Sequence, residues 1–149
     1  MSDDLIGVLK KSKLFAGFRQ DQLEEVIADM QPRPVTLKPG DRVYKRGDPS
    51  DRCWLIQSGR LTVKRASLRT PFRTMLYHEG SVTGIQGLVD PGSPRTVTMI
   101  AEDNVQLIEI THGGVAKMSK ETQILLWQNA SALLLRKLFA CLSRESRDC

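Results

Sequence analysis

The sequence predicts one mainly β domain, a β-roll or jelly roll with helices at both ends. Between Val35 and Ile110, short runs of strand-forming residues are separated by turn residues roughly every 8–12 positions, which is typical of such folds rather than of a parallel sheet. Apolar residues at helical spacing precede and follow this region. With 149 residues, the chain can bury one core without a metal or a disulfide framework.

Composition excludes several classes of protein. No apolar run reaches the ~18 residues of a membrane span. The acidic start of the chain, residues 1–5, is unlike a signal peptide, so we expect a cytoplasmic protein. The three cysteines, Cys53, Cys141 and Cys149, are an odd number at wide spacing, which predicts core or surface thiols and no metal site.

Charge and histidine content favour neither nucleic-acid binding nor catalysis. The net charge is +5, but the basic residues are scattered and no aromatic residues alternate with them, so a solvated basic face is expected. The only histidines, His78 and His112, lie far apart and outside any metal-ligand spacing. No nucleophile motif is present either, so we expect no enzyme activity.

Two helices are predicted in residues 1–33. The second begins near Gln20 and ends before Pro32, because proline cannot continue a helix. Its apolar residues fall on one face at positions Leu23, Val26, Ile27 and Met30.

Residues 34–112 are expected to form the roll. The candidate strands are 35–37, 42–45, 53–57, 60–65, 72–77, 95–101 and 105–110. Ser58 and Gly59, between two apolar runs, predict a hairpin. The long insertion at 80–94 is where a loop is expected to carry function.

A long helix is predicted in the C-terminal part, 113–149. It follows the break at Gly113 and Gly114, starts near Ser119 as N-cap with Thr122 three residues on, and runs to about Ser143. Because it is apolar over most of its girth, it must be covered on two sides, and one small roll covers only one. A second copy across a two-fold axis would cover the other. The alternative is that the N-terminal helices of the same chain cover it.

The stretch 80–101 predicts a site for a small anion. Its glycines allow backbone N–H groups to approach a ligand, and Arg95 could bind the same anion with its guanidinium. The alternative for Arg95 is a surface residue paired with a carboxylate such as Asp90 or Glu102.

The order Gly84, two residues, Gly87-Leu88, a turn, and then Pro94-Arg95-Thr96 resembles the phosphate-binding cassette of cyclic nucleotide-binding domains. This is the family of bacterial catabolite activator proteins and kinase regulatory subunits. The spaced glycines Gly40, Gly47 and Gly59 fit the same family, and the resemblance covers residues 14–142. It implies a cyclic nucleotide-binding β-roll, or double-stranded β-helix, with a cassette at 80–97.

The resemblance also implies a ligand site. Arg95 would bind the cyclic phosphate, assisted by backbone N–H groups of residues 86–88 and by Thr96, while residues near 141–144 would contact the base. The implied site residues are Gly84, Ile85, Gln86, Gly87, Leu88, Arg95, Thr96 and Val97. Ile85 departs from the family pattern, because a glutamate there usually accepts a hydrogen bond from the ribose 2′-hydroxyl. Val97 narrows the pocket where the family often has alanine.

We therefore expect one non-enzymatic domain, 1–149, that binds cAMP or cGMP and signals through the helix at 119–143, which also forms a homodimer. Activators of the family continue into a helix-turn-helix module. None follows in this sequence, so DNA binding by this chain alone is not expected. One alternative is a degenerate module that binds no nucleotide and acts in protein interaction or dimerisation. A weaker one is a haem or gas sensor with His78 or Cys53 as ligand.

Overall fold

The computed structural model describes residues 2–64 and 76–143. Its N-terminal region is helical. Helix α1 spans Ser2–Lys10, a 3-10 turn spans Lys13–Phe15, and α2 spans Gln20–Met30. The predicted bounds of the second helix are confirmed. It stops where Gln31 takes a left-handed backbone conformation, with φ of 46°.

Among the described residues, eight strands form the roll. They are β1 (Arg33–Leu37), β2 (Arg42–Tyr44), β3 (Arg52–Ser58), β4 (Leu61–Lys64), β5 (Leu76–Tyr77), β6 (Val82–Thr83), β7 (Thr98–Ala101) and β8 (Val105–Thr111). They make two four-stranded antiparallel sheets in the orders β1-β8-β3-β6 and β2-β7-β4-β5. Most neighbours in these sheets are distant in sequence, as in a jelly roll, so the predicted fold class is confirmed.

The predicted hairpin at Ser58 and Gly59 is wrong. Strands β3 and β4 belong to different sheets, so the chain crosses from one sheet to the other at this point. Gly59 has φ of 85°, and a Cβ on it would lie 2.4 Å from the carbonyl oxygen of Asn104. Two chain crossings therefore pack against each other here, and only glycine fits between them.

The predicted strand 95–101 begins later than expected, at Thr98. The backbone of Arg95 is instead held by the turn after β2, since its N–H donates to Asp48 O and its carbonyl accepts from Gly47 N, both at 2.8 Å. The insertion before it contains β6 and a short helix, α3 (Gln86–Val89). Of the predicted strand 72–77, residues 72–75 lie outside the described residues.

The core has two parts. One fills the space between the two sheets and consists of Trp54, Ile56, Leu61, Val63, Met99, Ala101, Val105 and Leu107. The other joins the first sheet to the helices and includes Leu14, Leu23, Val26, Cys53, Ile85, Leu88, Ile110 and Leu126. The insertion is thus anchored in the core by its own apolar residues, which fixes the backbone beside it.

Helix α4 (Lys120–Ser143) lies against the N-terminal region through part of its surface. Its predicted cap is confirmed, because the Ser119 hydroxyl accepts from the N–H of Thr122 at 3.3 Å. The Asn129 amide donates to two carbonyls of the 13–16 segment, both at 2.9 Å. On the opposite surface of the helix, five large apolar residues of the described part of the chain are exposed: Ile124, Leu134, Leu135, Leu138 and Phe139. Among the helices of the described residues, none combines the length and apolar character that crossing a bilayer requires.

Candidate functional site

Arg95 is the charged centre of the site. Its side chain is only 4% exposed, although it follows a surface turn. The guanidinium donates to Gly84 O at 3.0 Å and to Arg52 O at 2.6 Å. It also lies over the rings of Tyr44 and Trp54, with its carbon 4.5 and 5.3 Å from the two ring centroids. Both carbonyl bonds and cation–π contacts hold the side chain in one orientation.

No carboxylate of residues 2–64 and 76–143 forms an ion pair with this guanidinium. Burial lowers the pKa of Arg95, as expected for a cation removed from water without a counter-ion. Arginine has five N–H donors, and the two carbonyl bonds use only part of them. The site therefore has both spare donors and an uncompensated positive charge.

Two glycines bring the insertion against this arginine. Gly84 has φ of 78°, and a Cβ there would lie 2.9 Å from the Trp54 ring and 3.0 Å from Nη1 of Arg95. Gly87 has an ordinary φ, but its Cβ would lie 2.3 Å from Arg52 O. Each glycine is therefore required by close packing, the first against the aromatic ring and the second against strand β3.

Unpaired backbone amides lie in the same turn. The N–H groups of Gly87 and Leu88 donate to Gly84 O and Ile85 O. In the described part of the chain, the N–H groups of Ile85, Gln86 and Thr96 have no hydrogen-bond acceptor. Successive free amides beside an arginine form the arrangement that binds a phosphate or another anion.

These groups face a cavity of about 610 Å³. Its walls come from three parts of the chain: the end of the α1 region, the roll, and helix α4. The lining residues are Lys11, Lys13, Tyr44, Tyr77, His78, Glu79, Gly80, Ser81, Val82, Gly84, Ile85, Gln86, Arg95, Thr96, Val97, Leu133, Leu134, Arg136 and Lys137. Its volume is within the range of small-molecule sites.

The Tyr44 and Trp54 rings form an apolar surface next to Arg95, and their polar atoms are hydrogen-bonded. The Tyr44 and Trp54 rings stack with centroids 5.5 Å apart, and the Tyr44 hydroxyl hydrogen-bonds with Thr83 Oγ1 at 3.0 Å. Burial raises the pKa of Tyr44, so this phenol stays neutral and keeps its proton. The Trp54 indole N–H donates to the buried Glu109 at 3.2 Å, and Glu109 pairs with Arg33 and Arg52.

Residues 34–122 match the family model described as cyclic nucleotide-binding domain, which is more than half of the chain. The chain belongs to this family. The sequence resemblance is therefore confirmed. Arg95, its aromatic contacts and the glycine turn lie within the matched residues, whereas the parts of the cavity wall from the α1 region and from α4 lie outside them.

Relatives of this cyclic nucleotide-binding domain include proteins of different kinds. The curated acetyltransferase Pat of Mycolicibacterium smegmatis is 31% identical over 93 residues, which are 62% of this chain and 27% of that protein. The chain thus spans about a quarter of the length of this relative. The N-terminal domain of a transcriptional regulator from Streptomyces coelicolor A3(2) is 29% identical, with a TM-score of 0.72, covering 91% of this chain and 94% of that one.

A third similar structure is the regulatory domain of Toxoplasma gondii PKA with cAMP. It is 18% identical, with a TM-score of 0.69, and the match covers 88% of this chain and 50% of that one. At this identity the likeness concerns the fold. The two solved structures share the fold of this domain.

Of the eight residues that the sequence pointed to in this domain, six line the cavity: Gly84, Ile85, Gln86, Arg95, Thr96 and Val97. The other two, Gly87 and Leu88, do not. Gly87 packs on strand β3, and the Leu88 side chain is fully buried in the core. Ile85 is 7% exposed and belongs to the same core cluster, although it also reaches the cavity wall.

Gln86 has a structural role in the turn. Its carboxamide donates to the Ser93 hydroxyl at 2.7 Å and to Pro94 O at 3.1 Å. The side chain therefore links the start of α3 to the turn that carries Arg95. These two hydrogen bonds stabilise the conformation of the insertion at 80–94.

One alternative for the site residues is wrong, and the haem alternative stays a hypothesis. Arg95 pairs with neither Asp90 nor Glu102, and Glu102 lies instead beside Arg60 at 3.7 Å. Cys53 is fully buried behind Arg95 and does not line the cavity, while His78 does. Residues 2–64 and 76–143 contain no group of three or more potential metal ligands.

Sequence reasoning missed several residues of the site. Tyr44 and Trp54 could have been found, because they are aromatic residues of consecutive candidate strands and lie on either side of Gly47. Lys11, Lys13, Arg136 and Lys137 gave no signal, since only the packing of α4 on the N-terminal region brings them to the cavity. The expected base contact near 141–144 includes Arg144, which lies outside the described residues.

Proposed function

We propose that this domain is a regulatory sensor that binds a cyclic nucleotide, cAMP or cGMP, and has no catalytic activity of its own. The observation that carries the proposal is the buried guanidinium of Arg95 in the cavity, without a carboxylate partner among the described residues. A cyclic phosphate would supply the missing negative charge and accept hydrogen bonds from Arg95 and from the free amides of residues 85, 86 and 96. The Toxoplasma neighbour with cAMP supports the choice of ligand.

Helix α4 is suited to transmit binding. Leu133, Leu134, Arg136 and Lys137 line the cavity, and the same helix exposes Leu138 and Phe139. A ligand that contacts the inner side would change the position or order of the outer side, and so would shift the balance between two states. We propose that the outer side pairs with the same helix of a second copy, since it leaves large apolar residues in water.

The test is calorimetric titration of the protein with cAMP and cGMP, together with thermal melting. Arg95→Ala should weaken binding about 10- to 100-fold, because a charge-assisted hydrogen bond contributes about 1.5–3 kcal/mol. Arg46→Ala is the matched control, since Arg46 is exposed and does not line the cavity. Circular dichroism of Arg95→Ala and Arg95→Lys would show that both variants stay folded.

A second candidate function, a module that binds no nucleotide, is favoured by Ile85. This side chain can accept no hydrogen bond from a ribose hydroxyl, and a buried hydroxyl without a partner costs about 1–3 kcal/mol. If neither nucleotide binds and Arg95→Ala leaves every melting curve unchanged, the module is the better account. Leu138→Asp tests pairing in both cases, because it should convert a dimer to a monomer in analytical ultracentrifugation.

A further inference from the structure

A second group of cationic side chains lines the cavity away from the phosphate-binding turn. It consists of Lys11, Lys13, Arg136 and Lys137, which we call the outer basic cluster. We infer that the cavity takes a nucleotide with two phosphate groups, one bound by Arg95 and one by the outer basic cluster. The inference rests on the proposed function, in that Arg95 is the first phosphate site, and it differs from that proposal in the ligand, since cAMP and cGMP have one phosphate each.

The cluster is assembled by the fold. Lys11 and Lys13 follow α1, whereas Arg136 and Lys137 lie on α4, and the two elements meet through the segment 13–16. All four side chains are exposed. In the part of the chain that the structure describes, none of them forms an ion pair with a carboxylate.

The charge of the cavity lining favours a ligand with more than one anionic group. Among the described residues, five cationic side chains line it, Arg95 included, against the carboxylate of Glu79. A cyclic mononucleotide carries one negative charge, which Arg95 and the free amides would already bind. The four cations of the cluster would then repel one another across the cavity, and a second phosphate would relieve this repulsion.

The wall at Ile85 agrees with such a ligand. Ile85 is held in the core cluster at 7% exposure, so the side chain after Gly84 presents only apolar surface to the cavity. A ligand gains no polar contact there, and its specificity must come from another wall. The outer basic cluster supplies the positive charge of the remaining lining.

Two sources could supply the same chemistry: a cyclic dinucleotide and a nucleoside 3′,5′-bisphosphate. The experiment titrates the full chain with cAMP, cGMP, cyclic di-AMP, cyclic di-GMP and adenosine 3′,5′-bisphosphate at low and moderate salt. At least one two-phosphate ligand should bind about tenfold or more tightly than either cyclic mononucleotide, and its affinity should fall more steeply with salt. The tighter of the two kinds identifies the source.

The variant Arg136→Gln/Lys137→Gln tests the cluster itself. It should weaken the two-phosphate ligand about tenfold and the cyclic mononucleotides less than about threefold, because one phosphate contact is lost in the first case only. Lys117→Gln/Lys120→Gln is the matched control, since it removes two exposed cations that do not line the cavity. It should leave both affinities unchanged.

Two results would overturn the inference, and they are distinguishable. If cyclic mononucleotides bind as tightly as the two-phosphate ligands, Arg95→Ala abolishes binding and Arg136→Gln/Lys137→Gln has no effect, then the second subsite is wrong and the proposed function stands. If none of the five compounds binds and Arg95→Ala changes no melting curve, then the proposed function fails and the subsite fails with it.

Discussion

The Glu25 carboxylate of α2 accepts a hydrogen bond from the Ser119 N–H at 2.7 Å, at the start of α4. It also accepts from the hydroxyls of Ser119 and Thr122. One residue of the N-terminal region thus caps the helix that closes over the cavity, where unpaired N–H groups and the helix dipole favour a negative charge. The position of α4 is therefore coupled to the N-terminal helices.

This cap predicts a pH dependence of stability. Burial opposes ionisation of Glu25, but the hydrogen bonds from Thr122 and Ser119 outweigh it and hold the pKa below its usual value of 4.5. Because the folded pKa is depressed, the stabilisation is fully present above pH 4.5 and is lost as the pH falls through the folded pKa. Glu25→Gln should cost about 0.5–2 kcal/mol at pH 7 and flatten this dependence in urea unfolding.

Glu24→Gln is the control for that prediction, because Glu24 is exposed and forms no hydrogen bond or ion pair with α4 among the described residues. Equal pH profiles for the two variants would show that the cap does not stabilise the helix.

We predict that a side chain at position Gly87 would lower the stability of the protein and disturb the site by steric overlap. Gly87→Ala would place a methyl group 2.3 Å from Arg52 O, the carbonyl that also accepts from Arg95. We expect a loss of about 1–3 kcal/mol in the free energy of unfolding. Gly7→Ala is the control: its Cβ meets nothing within 4 Å, so helix propensity should raise stability by about 0.5–1 kcal/mol. A stable Gly87→Ala protein with unchanged ligand affinity would contradict the close packing.

We predict that truncating Ile85, at a position where the family usually has a glutamate, destabilises the core. The side chain is 7% exposed in the core cluster, so Ile85→Ala should lower the free energy of unfolding by about 2–3 kcal/mol. Val89→Ala in α3, where the side chain is 46% exposed and lies outside the proposed pairing side of α4, should change it by less than about 0.5 kcal/mol. Chemical denaturation of the two variants measures both values, and similar losses would argue against a buried Ile85.

We predict that the Cys53 thiol is unreactive in the native protein. Burial raises the pKa of Cys53 to about 12, and the nearby positive charge of Arg95 only partly opposes this. At pH 8 the thiol therefore stays protonated, and the side chain is fully buried. In a Cys141→Ser/Cys149→Ser variant, a thiol reagent should therefore react with the native protein far more slowly than with the urea-unfolded protein. Fast labelling of the native protein would show that the roll opens at this strand.

Much of the site could be predicted because its glycines and Arg95 lie close together in the sequence. The spacing from Gly84 to Arg95 fixes a turn and a charge within one insertion, and the structure places both at the cavity. The hairpin at Ser58 was wrong because a turn signal reports a change of direction, not the strand that pairs next. Pairing of strands depends on contacts that are distant in the sequence.

The sequence by itself determined the local features of this protein: the bounds of α2, the cap at Ser119, the glycine turn and the arginine that follows it. Each depends on backbone conformation and on neighbours a few residues away, which local sequence specifies. Only the tertiary structure decided that Arg95 is buried on Tyr44 and Trp54, that Glu25 caps α4, and that basic residues from both ends of the chain meet at one cavity. These relationships join residues far apart in the chain, and packing of the whole core brings them together.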